Sequence, residues 1–365
     1  MLGHPKRLLI FNWRDPKHPA AGGAERYLLE VARRFVKNGH TVHWVTAGFR
    51  GGAKQDIVDG ITVMRVGRKA SVYFALPLYY LRHCRGRFDG IIDAENGVPF
   101  FSPLFSKVSK ICLIFHVHQR VFETHLPFPL SVIFKWIEAR LMPSLYARDR
   151  FVAISDDTRR DLIELGIPEA RIDLAYSGYD SDLAPAAKSC EPSVLYVGRL
   201  KKYKRVDVIL QAFSKILPEF PSATLTIAGT GDQEQVLRRS SNELGIAHAV
   251  RFEGFVSETR KATLYARSWV FAMASEMEGW GLTIIEAAAC ATPTVAVSVP
   301  GVREAVVDGH SGLLVEDCSA LAPALARLLR DESLRGDLSR GAMKRSEAFS
   351  WDQTAREILA ALDAA

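Results

Sequence analysis

The 365-residue chain is about twice as long as a typical domain, and 48% of its residues are hydrophobic and 24% charged. Two domains with full hydrophobic cores are therefore expected, and a disordered or fibrous chain is excluded. The longest uncharged stretch, residues 287–302, contains two prolines and is too short to span a membrane as a helix.

The net charge of +6 is unevenly distributed along the chain. Residues 1–150 contain 23 Lys and Arg against 11 Asp and Glu, so the excess of positive charge is N-terminal. This asymmetry favours an anionic partner for that half, such as acidic lipid headgroups, a phosphorylated acceptor or nucleic acid. A role in solubility alone fits the charge equally well.

The five cysteines are scattered without a Cys-x-x-Cys pair, which argues against a disulfide framework and a zinc site. The N-terminal segment has only a short apolar run with no cleavage site after it, so it is not interpreted as a secretion signal. A cytoplasmic location is expected.

Short apolar runs rich in β-branched residues alternate with stretches of helical period. The runs are continuously apolar, which is typical of parallel strands buried on both faces. Strands are predicted at residues 7–13, 41–46, 61–66, 90–93, 111–117, 151–155, 194–198, 223–229, 250–255, 270–274 and 294–299. Helices are predicted at residues 24–38, 129–147, 157–165, 205–216, 232–244, 281–290, 319–331 and 351–362.

This βαβ repetition occurs in two series, which predicts an α/β protein with two doubly wound Rossmann-like domains whose parallel sheets face a central cleft. Residues 183–193 contain two prolines and few large apolar residues, as expected of a linker. We therefore predict an N-terminal domain of residues 1–185 and a C-terminal domain of residues 186–348. The helix in residues 349–365 is predicted to pack back on the N-terminal domain.

Gly22 and Gly23 follow the first predicted strand and precede a helix. Paired glycines allow backbone amides to approach a phosphate or sugar at a helix start, although a simple tight turn explains them equally well. The Gly-x-Gly-x-x-Gly fingerprint of dinucleotide binding is absent from the sequence.

A basic segment, residues 199–205, follows the first strand of the second series. Its five cations would repel one another unless they face solvent or a polyanion. The end of a parallel strand is where such sheets bind ligands, so a diphosphate is a suitable partner.

Residues 275–286 lead from a buried strand into a helix and contain Glu278 and Glu286 with seven residues between them. Gly279 and Gly281 permit exposed amides at the helix start, which suits a phosphate. The apolar neighbours of Glu286 predict that it is buried, and a buried carboxylate requires partners.

Taken together, these segments resemble the retaining glycosyltransferases of family GT4, which have the two-domain GT-B fold. The resemblance rests on four segments and covers nearly the whole chain: residues 22–25, residues 198–204, the pair Glu278 and Glu286 within 278–287, and residues 300–315. It implies an N-terminal acceptor-binding domain and a C-terminal nucleotide-sugar-binding domain.

The resemblance also implies roles for individual residues. Arg199 and Lys204 would clamp the diphosphate of a UDP- or GDP-linked sugar, and Glu286 would bind the ribose hydroxyls. Glu278 would contact the transferred sugar, and His116 would contact the same sugar from the active site. The remaining donor-binding residues are expected to be Gly22, Gly23, Gly229, Phe255 near the base, and the backbone of Gly279, Trp280, Gly281 and Leu282.

His116 and His118 end a predicted strand, where residues two apart share one face. A metal site would need a third ligand, and none is obvious in the sequence, so no metal is predicted. Asp180, Ser181 and Asp182 mimic a metal-binding Asp-x-Asp signature, but they lie beside the predicted linker and are interpreted as a chance match.

The predicted function is transfer of a hexose-type sugar from a nucleotide diphosphate sugar to a hydroxyl of a glycan, a lipid-linked acceptor or a small molecule. Retention of the anomeric configuration is expected, and the reaction is expected to need neither a cofactor nor a metal ion. The alternative is a non-catalytic protein that binds a nucleotide sugar or carbohydrate. Nucleic acid is not expected as a partner because no recognition motif is present, and an oxidoreductase is disfavoured by the missing fingerprint.

Two segments rich in both apolar and basic residues, 72–87 and 122–150, suit peripheral contact with an anionic membrane at the inner face of the plasma membrane. Helices buried in the domain core would show the same apolar content. Sequence composition does not separate these two interpretations.

Overall fold

The computed structural model of the protein describes residues 4–179 and 182–365. The chain folds into two units, of which one runs to Ser177 and includes Trp351–Ala365, and the other is Gly178–Ser350. The division between Ser177 and Gly178 lies on the N-terminal side of the boundary predicted after residue 185. In the described part of the chain, no helix combines the length and the apolarity that a membrane crossing requires.

The N-terminal unit is built on one sheet. Its strands are β1 (Arg7–Phe11), β2 (Thr41–Gly48), β3 (Gln55–Val58), β4 (Ile61–Arg68), β5 (Gly90–Glu95), β6 (Lys110–Ile114), β7 (Arg150–Ala153) and β8 (Ile172–Leu174). They are ordered β3-β4-β2-β1-β5-β6-β7-β8. All neighbouring pairs are parallel apart from β3 and β4.

The C-terminal unit is built on a second, fully parallel sheet. Its strands are β9 (Ser193–Val197), β10 (Thr224–Ala228), β11 (Val250–Gly254), β12 (Val270–Met273), β13 (Thr294–Val297) and β14 (Gly312–Val315). Their order is β11-β10-β9-β12-β13-β14.

Helices connect the strands in both units. Those of the N-terminal unit are α1 (Gly23–Lys37), α2 (Val72–Tyr79), α3 (Gln119–His125), α4 (Leu130–Trp136), α5 (Met142–Leu145) and α6 (Asp156–Glu164). Those of the C-terminal unit are α7 (Val206–Ile216), α8 (Glu234–Glu243), α9 (Glu258–Arg267), α10 (Leu282–Ala289), α11 (Val302–Ala305), α12 (Leu321–Arg330) and α13 (Glu332–Ser346). Two π-helical segments, Tyr80–Cys84 and Ile137–Leu141, follow α2 and α4.

The last helix, α14 (Trp351–Asp363), belongs to the N-terminal unit. It packs on α1, where the rings of Trp351 and Tyr27 meet edge to face at 5.6 Å. The Thr354 hydroxyl donates to the Tyr176 carbonyl at 2.5 Å. The chain therefore returns to its first unit after completing the second.

The central strands are apolar because helices cover both faces of each sheet. Leu8, Leu9 and Ile10 on β1 are fully buried, as are Val194 and Leu195 on β9. This confirms the prediction of two α/β units with parallel sheets. In each sheet the order of the strands reverses direction at one point, between β1 and β5 in the first sheet and between β9 and β12 in the second. In this class of fold, ligands bind at the loops that follow such strands.

Several elements were not predicted from the sequence. The short strands β3, β8 and β14 have at most four residues each, which is too few to show a period. Helix α13 contains Gly336 and Gly341, which weaken a helical pattern. The helix predicted at 129–147 is present as α4, the π-helical segment Ile137–Leu141 and α5 in succession, and only its π-helical part was not predicted.

Candidate active site

The basic segment predicted to bind a diphosphate forms the loop between β9 and α7. Arg199 donates from Nη2 to the Tyr203 hydroxyl at 2.9 Å, and Lys204 lies over the Tyr203 ring with its Nζ 5.2 Å from the ring centroid. Tyr203 therefore holds both predicted clamp residues on one side of the loop. Arg205 ends the loop in the left-handed backbone region, with a φ of 49°.

The loop after β12 brings Glu278 against Lys204. The Lys204 Nζ and the Glu278 Oε1 are 2.5 Å apart, and the Ser275 hydroxyl donates to the same oxygen at 2.7 Å. Both ionic side chains are largely buried, with 14% and 11% of their surfaces exposed. Strands β9 and β12 are adjacent in the sheet, which is why residues far apart in sequence meet here.

The predicted helix start after Glu278 is the beginning of α10, at Leu282. The Leu282 amide already donates to the Trp280 carbonyl at 2.9 Å, so the amides predicted to face a phosphate are not all exposed. The Trp280 ring is buried against Phe349, with the ring centroids 4.9 Å apart. The side chain is therefore part of the core of the C-terminal unit, and only the backbone of Trp280 is left to contact a ligand.

Gly281, the residue before α10, has no space for a side chain. A Cβ there would lie 2.8 Å from Cδ1 of Ile284 and 2.9 Å from Cβ of Ala305. Its glycine is therefore required by packing as well as by any approach of a ligand to the backbone.

Glu286 lies inside α10 and is 2% exposed, which confirms the burial that its apolar neighbours predict. Its Oε1 accepts from Lys261 Nζ at 3.0 Å, and its Oε2 accepts from the Tyr265 hydroxyl at 2.9 Å. Both partners come from α9, a helix that the sequence analysis did not predict. A carboxylate can accept several hydrogen bonds at the same time.

Gly229 and Phe255 follow β10 and β11. Gly229 has a φ of 137°, and its amide donates to the Gly254 carbonyl at 2.7 Å. A Cβ at Gly229 would lie 1.9 Å from the Gly198 carbonyl oxygen. Phe255 is 87% exposed and offers an aromatic face to a planar ligand.

Gly229→Ala is expected to lower the free energy of unfolding by roughly 2–4 kcal/mol. The cost of placing a side chain on a backbone with positive φ adds to the cost of its clash with the Gly198 carbonyl oxygen. Gly336→Ala in α13 is the matched control, since its Cβ would make only an ordinary contact with Arg340, and it is expected to stabilise by about 0.5–1 kcal/mol. Chemical unfolding measures both. Equal stability of the two variants would contradict the close approach of residues 198 and 229.

In the N-terminal unit, Gly22 and Gly23 begin α1 after β1. The Gly22 amide donates to the Glu25 carboxylate at 2.6 Å, and that carboxylate also accepts from Asn12 at 3.4 Å. Asn96, after β5, donates to Asn12 at 2.7 Å. The Gly22 amide is therefore engaged within the protein, whereas a Cβ on Gly23 would meet open space.

The prediction that His116 and His118 lie on a strand is wrong, because β6 ends at Ile114. The histidines lie in the following loop, where their ring centroids are nevertheless 3.8 Å apart. Burial and the neighbouring His118 lower the pKa of His116 to about 3, so its imidazole is neutral at physiological pH.

The sequence analysis missed two acidic residues beside His118. Glu95 at the end of β5 and Glu138 in the second π-helical segment are both buried. Their carboxylate oxygens lie 3.8 Å and 3.5 Å from Nδ1 of His118. The fold thus supplies the further ligand candidates that were not obvious in the sequence. Glu95 lies two residues after the strand predicted at residues 90–93, which was an available signal, but nothing in the sequence connects Glu138 to it.

Burial raises the pKa of Glu95 to about 8, and the charge of Glu138 adds to this. Burial opposes a charge on His118, but Glu95 and Glu138 outweigh it and raise the pKa of the imidazole. Of the Asp-x-Asp mimic, Asp180 and Ser181 lie outside the described residues.

Two family models match consecutive parts of the chain. The model described as "Glycosyltransferase Family 4" matches residues 21–183, and the model described as "Glycosyl transferases group 1" matches residues 184–345.

Among curated proteins, the chain is 34% identical over 233 residues to a D-inositol 3-phosphate glycosyltransferase of Frankia alni, covering 58% of this chain and 57% of that protein. It is 30% identical over 310 residues to the protein of the same name from Acidothermus cellulolyticus, covering 80% and 63%. The chain thus spans less than two thirds of the length of these relatives.

Solved structures with a similar fold cover nearly the whole chain. Sucrose-phosphate synthase from Thermosynechococcus elongatus has a TM-score of 0.79 at 19% identity and covers 97% of this chain and 98% of its own. Anabaena HepE in complex with UDP-glucose has a TM-score of 0.78 at 19% identity and covers 99% and 100%. The lipopolysaccharide glycosyltransferase WaaG has a TM-score of 0.77 at 15% identity and covers 98% and 99%. These similarities show the GT-B fold.

Proposed function

The chain belongs to glycosyltransferase family GT4, and on that premise we propose that it transfers a hexose-type sugar from a nucleotide diphosphate sugar to an acceptor hydroxyl. The transfer retains the anomeric configuration and uses no metal ion at the diphosphate. The nucleotide sugar is a co-substrate, linked to UDP or GDP, and the N-terminal unit binds the acceptor.

The observation that carries this proposal is the arrangement after β9 and β12. Arg199 and Lys204 extend from one loop, and Glu278 from the other holds Lys204 at 2.5 Å. A buried cation paired with a carboxylate is already desolvated and oriented, so a diphosphate that replaces Glu278 meets a fixed positive charge. The exposed face of Phe255 suits a nucleobase, and Glu286 has acceptor capacity for ribose hydroxyls.

Arg199, Lys204 and Glu278 act on the nucleotide diphosphate, which is the leaving group of the reaction. The bond between the anomeric carbon and the diphosphate oxygen breaks, while the acceptor oxygen forms a bond to the same carbon on the same face. The acceptor proton passes to a donor phosphate oxygen. Arg199 and Lys204 stabilise the charge that develops on the diphosphate, and Glu278, released from Lys204, accepts a hydrogen bond from a sugar hydroxyl.

His116 is the remaining candidate catalytic residue. A neutral imidazole has one nitrogen that donates and one that accepts, which suits contact with a sugar hydroxyl. The low pKa keeps His116 in this neutral form throughout the physiological range.

A panel of UDP- and GDP-linked hexoses tests the function. We expect one donor to raise the melting temperature by mass action and to be cleaved or transferred at a rate that brief addition of a chelator does not change. Stabilisation without cleavage or transfer, with a panel of acceptors present, would support the non-catalytic alternative instead. The absence of any stabilisation would overturn the donor assignment.

The acceptor is proposed to be lipid-linked, because the structure exposes apolar side chains that a core helix would bury. In the segment around α4 they are Phe128, Leu130, Val132, Ile133 and Trp136, each at least 45% exposed. In the segment around α2 they are Phe74, Leu78 and Leu81. Arg82, Arg85, Arg87 and Arg140 beside them are also exposed, so both segments combine apolar and cationic surface, as expected for an anionic membrane interface.

Flotation with vesicles containing acidic lipid is expected to recover the protein at low salt and less of it at high salt. The double variant Phe128→Ser with Trp136→Ser is expected to bind at least about tenfold more weakly, because each aromatic ring contributes on the order of 1–2 kcal/mol of burial. Val236→Ser, an exposed apolar position on α8, is the matched control. Equal flotation of both variants would remove the α4 segment from the proposal.

A further inference from the structure

The N-terminal unit contains a cluster of three side chains of types that bind metal ions, Glu95, His118 and Glu138. All three residues are at least 92% buried, and in the part of the chain that the structure describes, their ion pairs are only with one another. Buried polar atoms require partners, and one cation would be a partner for all three residues.

The distances within the cluster exceed those of direct hydrogen bonds. Nδ1 of His118 lies 3.5 Å from Oε1 of Glu138 and 3.8 Å from Oε1 of Glu95, whereas N–H···O bonds have lengths of about 2.7–3.2 Å. Consistently, Nδ1 of His118 and both Glu95 oxygens have no hydrogen-bond partner among the described residues. These three buried atoms therefore lack a hydrogen-bond partner in the described part of the protein.

The spacing of these atoms is close to that of a coordination sphere. Ligand bonds of about 2.0–2.2 Å in a tetrahedral zinc site place the ligand atoms about 3.3–3.6 Å apart. One ligand atom from each of the three residues lies within 4.8 Å of the others. A divalent ion with two carboxylates and a neutral imidazole also makes the cluster electrically neutral.

Neighbouring groups orient Glu138 in the way that metal-binding carboxylates are oriented. Its Oε1 accepts from the His118 amide at 2.6 Å, and its Oε2 accepts from the Gln119 side chain at 2.7 Å. Glu138 also lies in the π-helical segment Ile137–Leu141, and such turns occur frequently at functional sites. Ligands held by a second layer of hydrogen bonds are typical of built metal sites.

We propose that Glu95, His118 and Glu138 bind one divalent transition-metal ion, with Zn²⁺ as the best match to the mixed nitrogen and oxygen ligands. The ion is held by Nδ1 of His118 and one oxygen of each carboxylate, which leaves a coordination position for water or a ligand hydroxyl. Its role is to hold the loop after β6 that carries His116. The cluster lies in the N-terminal unit, whereas Arg199 and Lys204 belong to the C-terminal unit.

The test measures binding of Zn²⁺ and Mn²⁺ to the full chain after prolonged dialysis against chelator. Titration calorimetry is expected to show one Zn²⁺ ion per chain, with affinity reduced at least about 100-fold in Glu95→Gln and in His118→Gln. The background is Cys190→Ser, because Cys190 is an exposed free thiol and thiolates are good zinc ligands. His248→Gln, an exposed histidine in the C-terminal unit, is the matched control and should bind like the parent.

A stability measurement keeps the proposal testable if a variant folds poorly. Without metal, Glu95→Gln should melt at a temperature at least as high as the parent, because both buried oxygens of Glu95 lack a hydrogen-bond partner among the described residues and an amide can donate as well as accept. With Zn²⁺ the order should reverse, since only the parent gains the binding free energy. No stoichiometric binding of either ion to the parent, or undiminished binding in both ligand variants, would overturn the site.

Discussion

Lys204→Ala is expected to lower kcat on the order of 10²–10³-fold, the usual cost of removing one donor that stabilises developing charge. Lys204 is the more buried of the two clamp residues and is held in place by Glu278 and Tyr203. Its charge is therefore pre-positioned for the diphosphate. Arg199→Ala is expected to have an effect of the same order. Steady-state kinetics with the donor found in the panel measures both.

Lys201→Ala is the matched control, because Lys201 lies in the same loop but pairs with Asp232 on the surface. It should change kcat by less than about threefold, as surface ion pairs contribute little. Glu278→Gln removes the charge that competes with the diphosphate, so it should tighten nucleotide diphosphate binding while lowering turnover of the complete donor. Near-normal turnover in both Lys204→Ala and Arg199→Ala would exclude the clamp from the mechanism.

Glu286→Ala is expected to have two separate effects. It leaves the buried Lys261 with the exposed Glu258 as its ionic partner and removes the acceptor of the Tyr265 hydroxyl, which should lower the free energy of unfolding by about 1–3 kcal/mol. It also removes the proposed acceptor for the ribose hydroxyls, which should weaken donor binding about 10- to 100-fold. Chemical unfolding and calorimetry measure the two effects independently.

Lys261→Met separates the loss of stability from the loss of donor affinity. It breaks the same ion pair from the α9 side but removes no group that is proposed to contact the donor. Stability should therefore fall while donor affinity changes by less than about threefold. Equal losses of donor affinity in Glu286→Ala and Lys261→Met would show that Glu286 acts only through the structure of the unit and not on the ribose.

Glu286 illustrates how far the sequence predicts a site. The surrounding residues Ile284, Ile285, Ala287 and Ala288 predict its burial, and burial of a carboxylate predicts partners. The partners themselves are Lys261 and Tyr265 on α9. Nothing in the local pattern of α9 links it to α10, because that pairing follows from where the two helices pack on the sheet.

The segment around α4 shows a different limit. Its apolar and basic composition is compatible with a core helix or a membrane-facing one. The exposed fractions of Phe128 (83%) and Trp136 (56%) show that this segment lies at the surface. Exposure depends on what packs against a helix, which composition does not record.

The order of apolar runs and intervening helices is a local property, and from it alone the chain specifies two parallel α/β units. The glycine-flanked pair Glu278 and Glu286 and the basic residues after β9 are local in the same sense, so they identify the family without coordinates. The pairing of Lys204 with Glu278, and above all the meeting of Glu95, His118 and Glu138, depend on strand order. Strand order is set by the packing of the whole sheet, so only the tertiary structure brings these charges together.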